Sequence, residues 1–193
     1  MFEQSSYSEQ YTFFQKLRSF DFVLIFCVLC LGIISNFSMY STDGGEFLYH
    51  SKSHFIRFVT FFSMMIFLSF FNLRFWHSTA YLFYTITLGF LIWASMYGVT
   101  ASGSQRWINL YFINLQPSEL MKIAIIVCFA RYFHREQMSN INSFKNIILS
   151  MAILLLPILL VVSQPDLGTS ILIAISGVIV LWLAGFNIKY FIY

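Results

Sequence analysis

Six stretches of this chain are apolar over lengths that suit a bilayer crossing, and that pattern limits the fold more than any other feature. They run Phe20–Tyr40, Phe55–Phe71, Ala80–Val99, Pro117–Phe133, Ile147–Val162 and Leu167–Phe186. A transmembrane helix needs about 20 predominantly apolar residues. None of the runs alternates as a strand would, and a lone segment in lipid can satisfy its own backbone only as a helix. The expectation is an all-α, polytopic transmembrane bundle of about six helices. Composition agrees: 59% of the 193 residues are hydrophobic and 10% charged, against about 45–50% and about 25% for soluble domains. The expected organisation is a tail over residues 1–19 followed by one membrane domain over 20–193, with no cleaved signal segment because the start is polar and aromatic.

Orientation follows from the cations, since cytoplasmic loops retain Lys and Arg. With the amino terminus inside, that side holds Lys16, Arg18, Arg74, Arg131, Arg135, Lys145 and Lys189, leaving Lys52, Arg57, Arg106 and Lys122 outside. The net charge of +3 is too small and scattered for a nucleic-acid partner. Cys27, Cys30 and Cys128 lie inside apolar runs, where a CxxC reads as packing rather than redox chemistry. His50, His54, His77 and His134 lack ligand spacing and read as interfacial, and Asp21 and Arg57 read as snorkelling side chains.

Two polar stretches face outward in this topology. The first runs from Gly103-Ser104-Gln105-Arg106-Trp107 to Gln116-Pro117-Ser118-Glu119 with Lys122; the second is Gln164-Pro165-Asp166-Leu167-Gly168-Thr169. Trp107, Tyr111 and Phe112 suit an interfacial belt. Pro117 suits a first helical position, and Glu119 a first turn, where a carboxylate gains from the helix dipole. Taken alone, these are ordinary helix starts. From Pro117 to Arg131, however, the helix spans only about 21 Å at ~1.5 Å per residue, short of the ~30 Å hydrocarbon core. Glu119 and Lys122, three apart on one face, then fall at or below the membrane boundary, where ionisable groups usually meet a partner or a polar cavity. Asp166 repeats the pattern, with Pro165 placed in the first turn and the acid at a similar depth. The helix-start reading and the polar-site reading both stand on these residues alone.

At these residues the chain resembles the RodA/FtsW/SpoVE (SEDS) family. Gly103-Ser104-Gln105-Arg106-Trp107, Gln116-Pro117-Ser118-Glu119 with Lys122, and Gln164-Pro165-Asp166-Leu167-Gly168-Thr169 with Leu183-Ala184-Gly185 are similar to the family's signature motifs, in family order. The spelling Gln105-Arg106-Trp107 and the pair Gly44-Gly45 resemble the rod-shape branch more than the division branch. The resemblance implies a peptidoglycan glycosyltransferase polymerising lipid II at the outer face of the bacterial cytoplasmic membrane, with a class B penicillin-binding protein as partner. Glu119, Lys122 and Asp166 would line its cavity and Arg106 would contact pyrophosphate. No cofactor is fixed; a divalent cation at the pyrophosphate is compatible with the resemblance.

Family members have about ten helices, and the acid thought to be catalytic lies in an outer loop after the seventh. By that resemblance no catalytic residue falls within this chain, the family acid lying beyond Tyr193, and the chain alone is expected to be inactive. Two other functions compete: a lipid II flippase or other transporter, which needs polar groups through the full membrane depth, and a non-catalytic scaffold for the penicillin-binding protein.

Overall fold

The computed structural model describes residues 18, 20–101, 104–110, 114–134 and 141–187. The described residues form six helices longer than four turns and fall into two compact units, one within Met1–Asn72 and one within Leu73–Tyr193. The tail over 1–17, Gly103, Tyr111, Phe112, Arg135 and Lys189 lie outside the described residues.

The first unit is a hairpin of α1 (Phe22–Thr42) and α2 (Tyr49–Ser69). Asp21, expected to snorkel, instead caps α1: its Oδ1 accepts from the amides of Val23 at 3.0 Å and Leu24 at 3.1 Å. Two of the amides that a helix start leaves unpaired are thereby satisfied. At the far end Gly44 and Gly45 turn the chain at φ 79° and 85°, a conformation open to glycine without steric cost. Asp43 then reaches across the turn, accepting from the Ser51 amide at 2.7 Å and its hydroxyl at 2.6 Å. Ser51 is the third residue of α2, whose own cap position, Leu48, has no side chain able to accept. This remote cap is why α2 begins six residues before its apolar run. The Ser51 side-chain and backbone hydrogen bonds hold the Asp43 carboxyl below its usual range.

The early start of α2 brings His54 inside the helix, where it is half-buried. Its Nδ1 lies 3.2 Å from Asn36 Oδ1 and its Nε2 lies 3.1 Å from Ser35 Oγ. Asn36 already donates Nδ2 to the Gly32 carbonyl at 2.8 Å. Its oxygen therefore faces the imidazole, which places the ring proton on Nδ1 and makes Nε2 the acceptor from Ser35. Gly32 is the close-approach point of the hairpin, where a methyl group would collide with the Phe58 ring.

The second unit contains α3 (Leu73–Tyr97), α4 (Pro117–His134), α5 (Phe144–Ser163) and α6 (Leu167–Leu183). Buried Met121, Ala124, Ile125, Cys128 and Phe129 recur on one face of α4 and join Leu91 of α3, Leu154 of α5, and Ile173 and Leu181 of α6 in the core. Among the described residues α1, α3 and α5 are long and apolar enough to cross a membrane on length and composition. Helix α4 carries Glu119, Lys122 and Arg131 and packs one face on its neighbours, leaving Ile123 and Ile126 on the exposed side. Arg131 donates to the carbonyls of His77 at 2.8 Å and of Ser78, and its guanidinium lies 4.5 Å from the Tyr81 ring centroid. It fastens the end of α4 to the beginning of α3. Gly185, at φ 98°, ends α6 in a Schellman turn: its amide bonds to Trp182 O at 3.0 Å and that of Phe186 to Leu181 O at 3.1 Å.

The connector between α3 and α4 contains β1 (Val99–Ala101), β2 (Ser104–Asn109) and β3 (Asn114–Leu115), an antiparallel meander the apolar pattern did not foretell. Val99 pairs with Trp107, Thr100 with Gln105, and Ile108 with Leu115. Near a membrane boundary such pairing satisfies backbone groups that water does not reliably reach.

Pro157 sits inside α5 and has no N–H for the carbonyl four residues earlier, that of Ile153. The Tyr84 hydroxyl, from α3, donates to that carbonyl at 2.8 Å. Tyr84→Phe should lower stability by about 1–3 kcal/mol, the cost of an orphaned buried acceptor. In a Pro157→Ala background the helix supplies its own donor, so the same change should cost much less. Thermal unfolding of the four proteins in one detergent checks this, and equal costs in both backgrounds would refute it.

Candidate functional site

Three parts of the second unit meet at one carboxylate, and a fourth joins through a neighbouring glutamine. Asp166 is the N-cap of α6, and its Oδ1 accepts from the Thr169 amide at 3.2 Å. Its Oδ2 accepts from Thr169 Oγ1 at 2.9 Å, from Gln116 Nε2 at 3.2 Å and from Arg106 Nη1 at 3.1 Å. Gln116 precedes α4 and Arg106 lies on β2, so the starts of both helices and the meander are tied to one residue. Two positions earlier, buried Gln164 donates to the Leu91 carbonyl at 3.1 Å and brings in α3. Gln105 donates to Gly98 O at 2.8 Å and anchors β2 where α3 ends.

Asp166 is only 7% exposed. Burial pushes its carboxyl upward, but the Thr169 hydrogen bonds and the Arg106 guanidinium outweigh this and hold it below the usual range. A carboxylate has about four acceptor positions; three donors crowd onto Oδ2 and one meets Oδ1, which keeps a position open. The lowered carboxyl makes Asp166 an ionised anchor for these donors. Arg106 keeps donors in reserve: one nitrogen meets Asp166, and its buried Nε has no partner among the described residues.

Glu119 and Lys122 form a second, separate pair. Lys122 Nζ lies 2.9 Å from each Glu119 oxygen, and the Glu119 side chain is 55% exposed. Among the described residues no hydrogen bond or ion pair joins them to Asp166 or Arg106. The expected likeness of the two proline motifs does not hold in detail. Pro117 is the first residue of α4 and Glu119 its third, whereas Pro165 stands before the cap, at φ 28°, and Asp166 is the cap itself. One acid is thereby buried among four donors, the other accessible.

The remaining motif residues divide similarly. Trp107 is half-buried on β2, and Gly168, in the first turn of α6, has open space where a side chain would go. Ser118 is buried, with a hydroxyl that has no partner among the described residues. Also among them, no group of three or more His, Cys, Asp or Glu side chains is placed to hold a metal ion. Each acid here already meets a cation, so the set does not fit a resident divalent cation.

A groove of about 590 Å³ is lined by Ile86, Gly89, Phe90 and Trp93 of α3 and by Ile108, Asn109 and Leu110 at the end of β2. Nothing lies within 4 Å of where a Gly89 Cβ would stand. Arg106 lies two residues before this lining on the same strand. Ile86, Gly89 and Trp93 look in the sequence like ordinary bilayer-facing residues, and nothing in the pattern marks them as groove walls.

The sign of the pH dependence follows from the depressed Asp166 carboxyl. Its stabilisation is fully present above the unfolded value of about 3.9 and is lost as pH falls through the lower folded value. Asp166→Asn should cost about 3 kcal/mol at neutral pH by leaving Arg106 without its counter-ion, and the gap from wild type should narrow below about pH 4. Thermal unfolding from pH 3 to pH 7 checks this; a gap independent of pH would contradict it.

Comparison with known proteins places these motifs in context. Residues 16–193 match the family of cell cycle proteins FtsW/RodA/SpoVE. The peptidoglycan glycosyltransferase MrdB of Escherichia coli K12 is 40% identical over 104 residues, covering 54% of this chain and 28% of MrdB. The probable peptidoglycan glycosyltransferase FtsW of Buchnera aphidicola subsp. Baizongia pistaciae is 28% identical over 185 residues, 92% of this chain and 48% of that protein. The chain thus spans half or less of the length of these relatives. The crystal structure of the Thermus thermophilus rod shape determining protein RodA aligns with a TM-score of 0.76 at 20% identity, over 90% of this chain and 56% of that one. A chain of a peptidoglycan synthase complex aligns with the same score and identity, over 90% and 50%. These structural likenesses establish a shared polytopic helical membrane fold, and the match over residues 16–193 makes the chain a member of the FtsW/RodA/SpoVE family.

Proposed function

We propose that this chain belongs to a peptidoglycan glycosyltransferase of the cell-elongation machinery that polymerises lipid II in the bacterial cytoplasmic membrane, beside a class B penicillin-binding protein. In this reading the amino terminus, with its tail over 1–19, is cytoplasmic and the Asp166 end of the bundle faces outward. The observation that carries it is Arg106, held on Asp166 with an unpartnered Nε, two residues along β2 from the lining of an apolar groove. A polyprenyl pyrophosphate presents that combination: a long hydrocarbon chain ending in anionic oxygens, which a guanidinium recognises well.

In the reaction the acceptor hydroxyl attacks the anomeric carbon of the donor sugar, its proton passes to a base, and undecaprenyl pyrophosphate departs. Arg106 would neutralise the leaving pyrophosphate, with Lys122 as a second cation, since charge developing in the transition state is where fixed donors act most. Asp166, held ionised by its donors, would position Arg106 rather than act as the base. The exposed Glu119 carboxylate would hold Lys122 at the rim of the cavity. The family's catalytic acid is not assigned within these residues, so this chain supplies donor binding in this reading.

The arrangement favours this over a carrier. Among the described residues the carboxylates of the second unit, Glu119 and Asp166, lie at the starts of α4 and α6. Buried polar groups elsewhere among them include Thr87, whose hydroxyl bonds to the Phe83 carbonyl in its own helix, and Asn146, which accepts from the Tyr132 hydroxyl. A translocation path needs polar partners along its whole depth.

Binding of lipid II to the chain in nanodiscs tests the proposal, with polymerisation measured in the same preparation. Arg106→Ala should weaken binding about tenfold or more, the worth of a hydrogen-bonded charge. Gly89→Trp, which fills the groove, should weaken it through the lipid chain. Absence of lipid II binding by the folded wild type would refute the reading, as would unchanged binding in both variants. Glycan strands made by the chain alone would overturn the inference that it supplies donor binding only.

A further inference from the structure

The α1–α2 hairpin carries a second groove, of about 380 Å³, with walls formed by Ile33, Asn36, Phe37 and Tyr40 of α1, Phe55, Phe58 and Val59 of α2, and Phe47 of the connecting loop. These walls are almost wholly carbon, yet Ile33 is 54% exposed, Phe37 69%, Phe47 58% and Phe55 48%. The groove therefore opens sideways on a helix, α1, that is apolar and long enough to span a bilayer. A concave apolar surface in that setting is occupied by hydrocarbon, because water finds no polar partners there.

The charges at its mouth indicate which hydrocarbon. Phe47 and Phe55 pack edge to face with ring centroids 6.3 Å apart, closing one end. Glu46 directly precedes Phe47, and Lys52 lies three residues before Phe55 and seven before Val59, on the same helical face. Neither the Glu46 carboxylate nor the Lys52 ammonium has a side-chain partner among the described residues. The neighbouring polar groups are committed: Asp43 accepts from Ser51, His50 lies in the field of Asp43, and Arg57 Nε donates to Ser53 O at 3.1 Å. Along the chain one exposed anion and one exposed cation thus flank the same aromatic pair. A net-anionic headgroup would meet Lys52 but be repelled by Glu46, whereas a zwitterion with a phosphate and a primary ammonium pairs with both.

We propose that this groove is a binding site for one phosphatidylethanolamine molecule, its acyl chain against Phe37, Phe55 and Val59, its phosphate at Lys52 and its ammonium at Glu46. The ammonium carries N–H donors that a carboxylate can accept, which a choline headgroup lacks. The site lies wholly in the first unit and does not depend on the proposed activity of the second.

Native mass spectrometry of the full chain tests this, using detergent micelles doped with equal amounts of phosphatidylethanolamine, phosphatidylglycerol and phosphatidylcholine. One phosphatidylethanolamine should be retained, with about a tenfold preference over each competitor. Val59→Trp and Ile33→Trp fill the groove from opposite walls and should each abolish retention, with folding followed by circular dichroism so that either variant suffices. Glu46→Gln with Lys52→Gln should leave lipid retained but remove the preference. Equal retention of the three lipids by wild type would overturn the headgroup assignment. Undiminished retention in a folded groove-filling variant would overturn the site.

Discussion

The acceptor capacity of one carboxylate organises the second unit. Asp166 takes donors from the first turn of its own helix, from the residue before α4 and from the middle of β2, while Gln164 two positions earlier takes the Leu91 carbonyl of α3. Remove that acceptor and the two helix starts, the meander and the arginine lose their common reference point. The low position of its pKa follows from the same crowding of donors, and so does its role: it holds a cation in place.

The same constraint acts wherever the chain leaves a polar group without a local partner. A bilayer offers no water to rescue such groups, so the partner comes from elsewhere in the fold. Asp43 caps α2 from eight residues away, Tyr84 donates to the carbonyl freed by Pro157, and Arg131 takes the carbonyls of His77 and Ser78. Ser35 and Asn36 satisfy both nitrogens of His54. Helix spans are set by apolar composition, but their ends and mutual positions are set by these remote hydrogen bonds.

That division explains what could be read from residues alone. The six helices were legible because lipid demands long apolar runs, and Arg106 and Asp166 were legible as charges out of place near a membrane boundary. The start of α2 was not, because Tyr49 to His54 is polar and becomes helical through Asp43, a partner set by the turn. The meander was missed because strands this short give little periodic signal. Glu119 and Asp166 looked equivalent from their prolines; only the coordinates separate an exposed acid on a lysine from a buried one surrounded by donors. Family membership rests on motifs that were visible throughout, while the division of labour within them depends on geometry.

The central claim is that Asp166 fixes Arg106 by direct pairing. A double-mutant cycle with Arg106→Gln and Asp166→Asn, read by equilibrium unfolding in a single detergent at neutral pH and low salt, measures that coupling. A coupling of about 1–3 kcal/mol is expected for a hydrogen-bonded, largely buried ion pair. Additive costs, with coupling indistinguishable from zero, would show that the two residues act independently and would remove the basis for reading Arg106 as a positioned pyrophosphate contact.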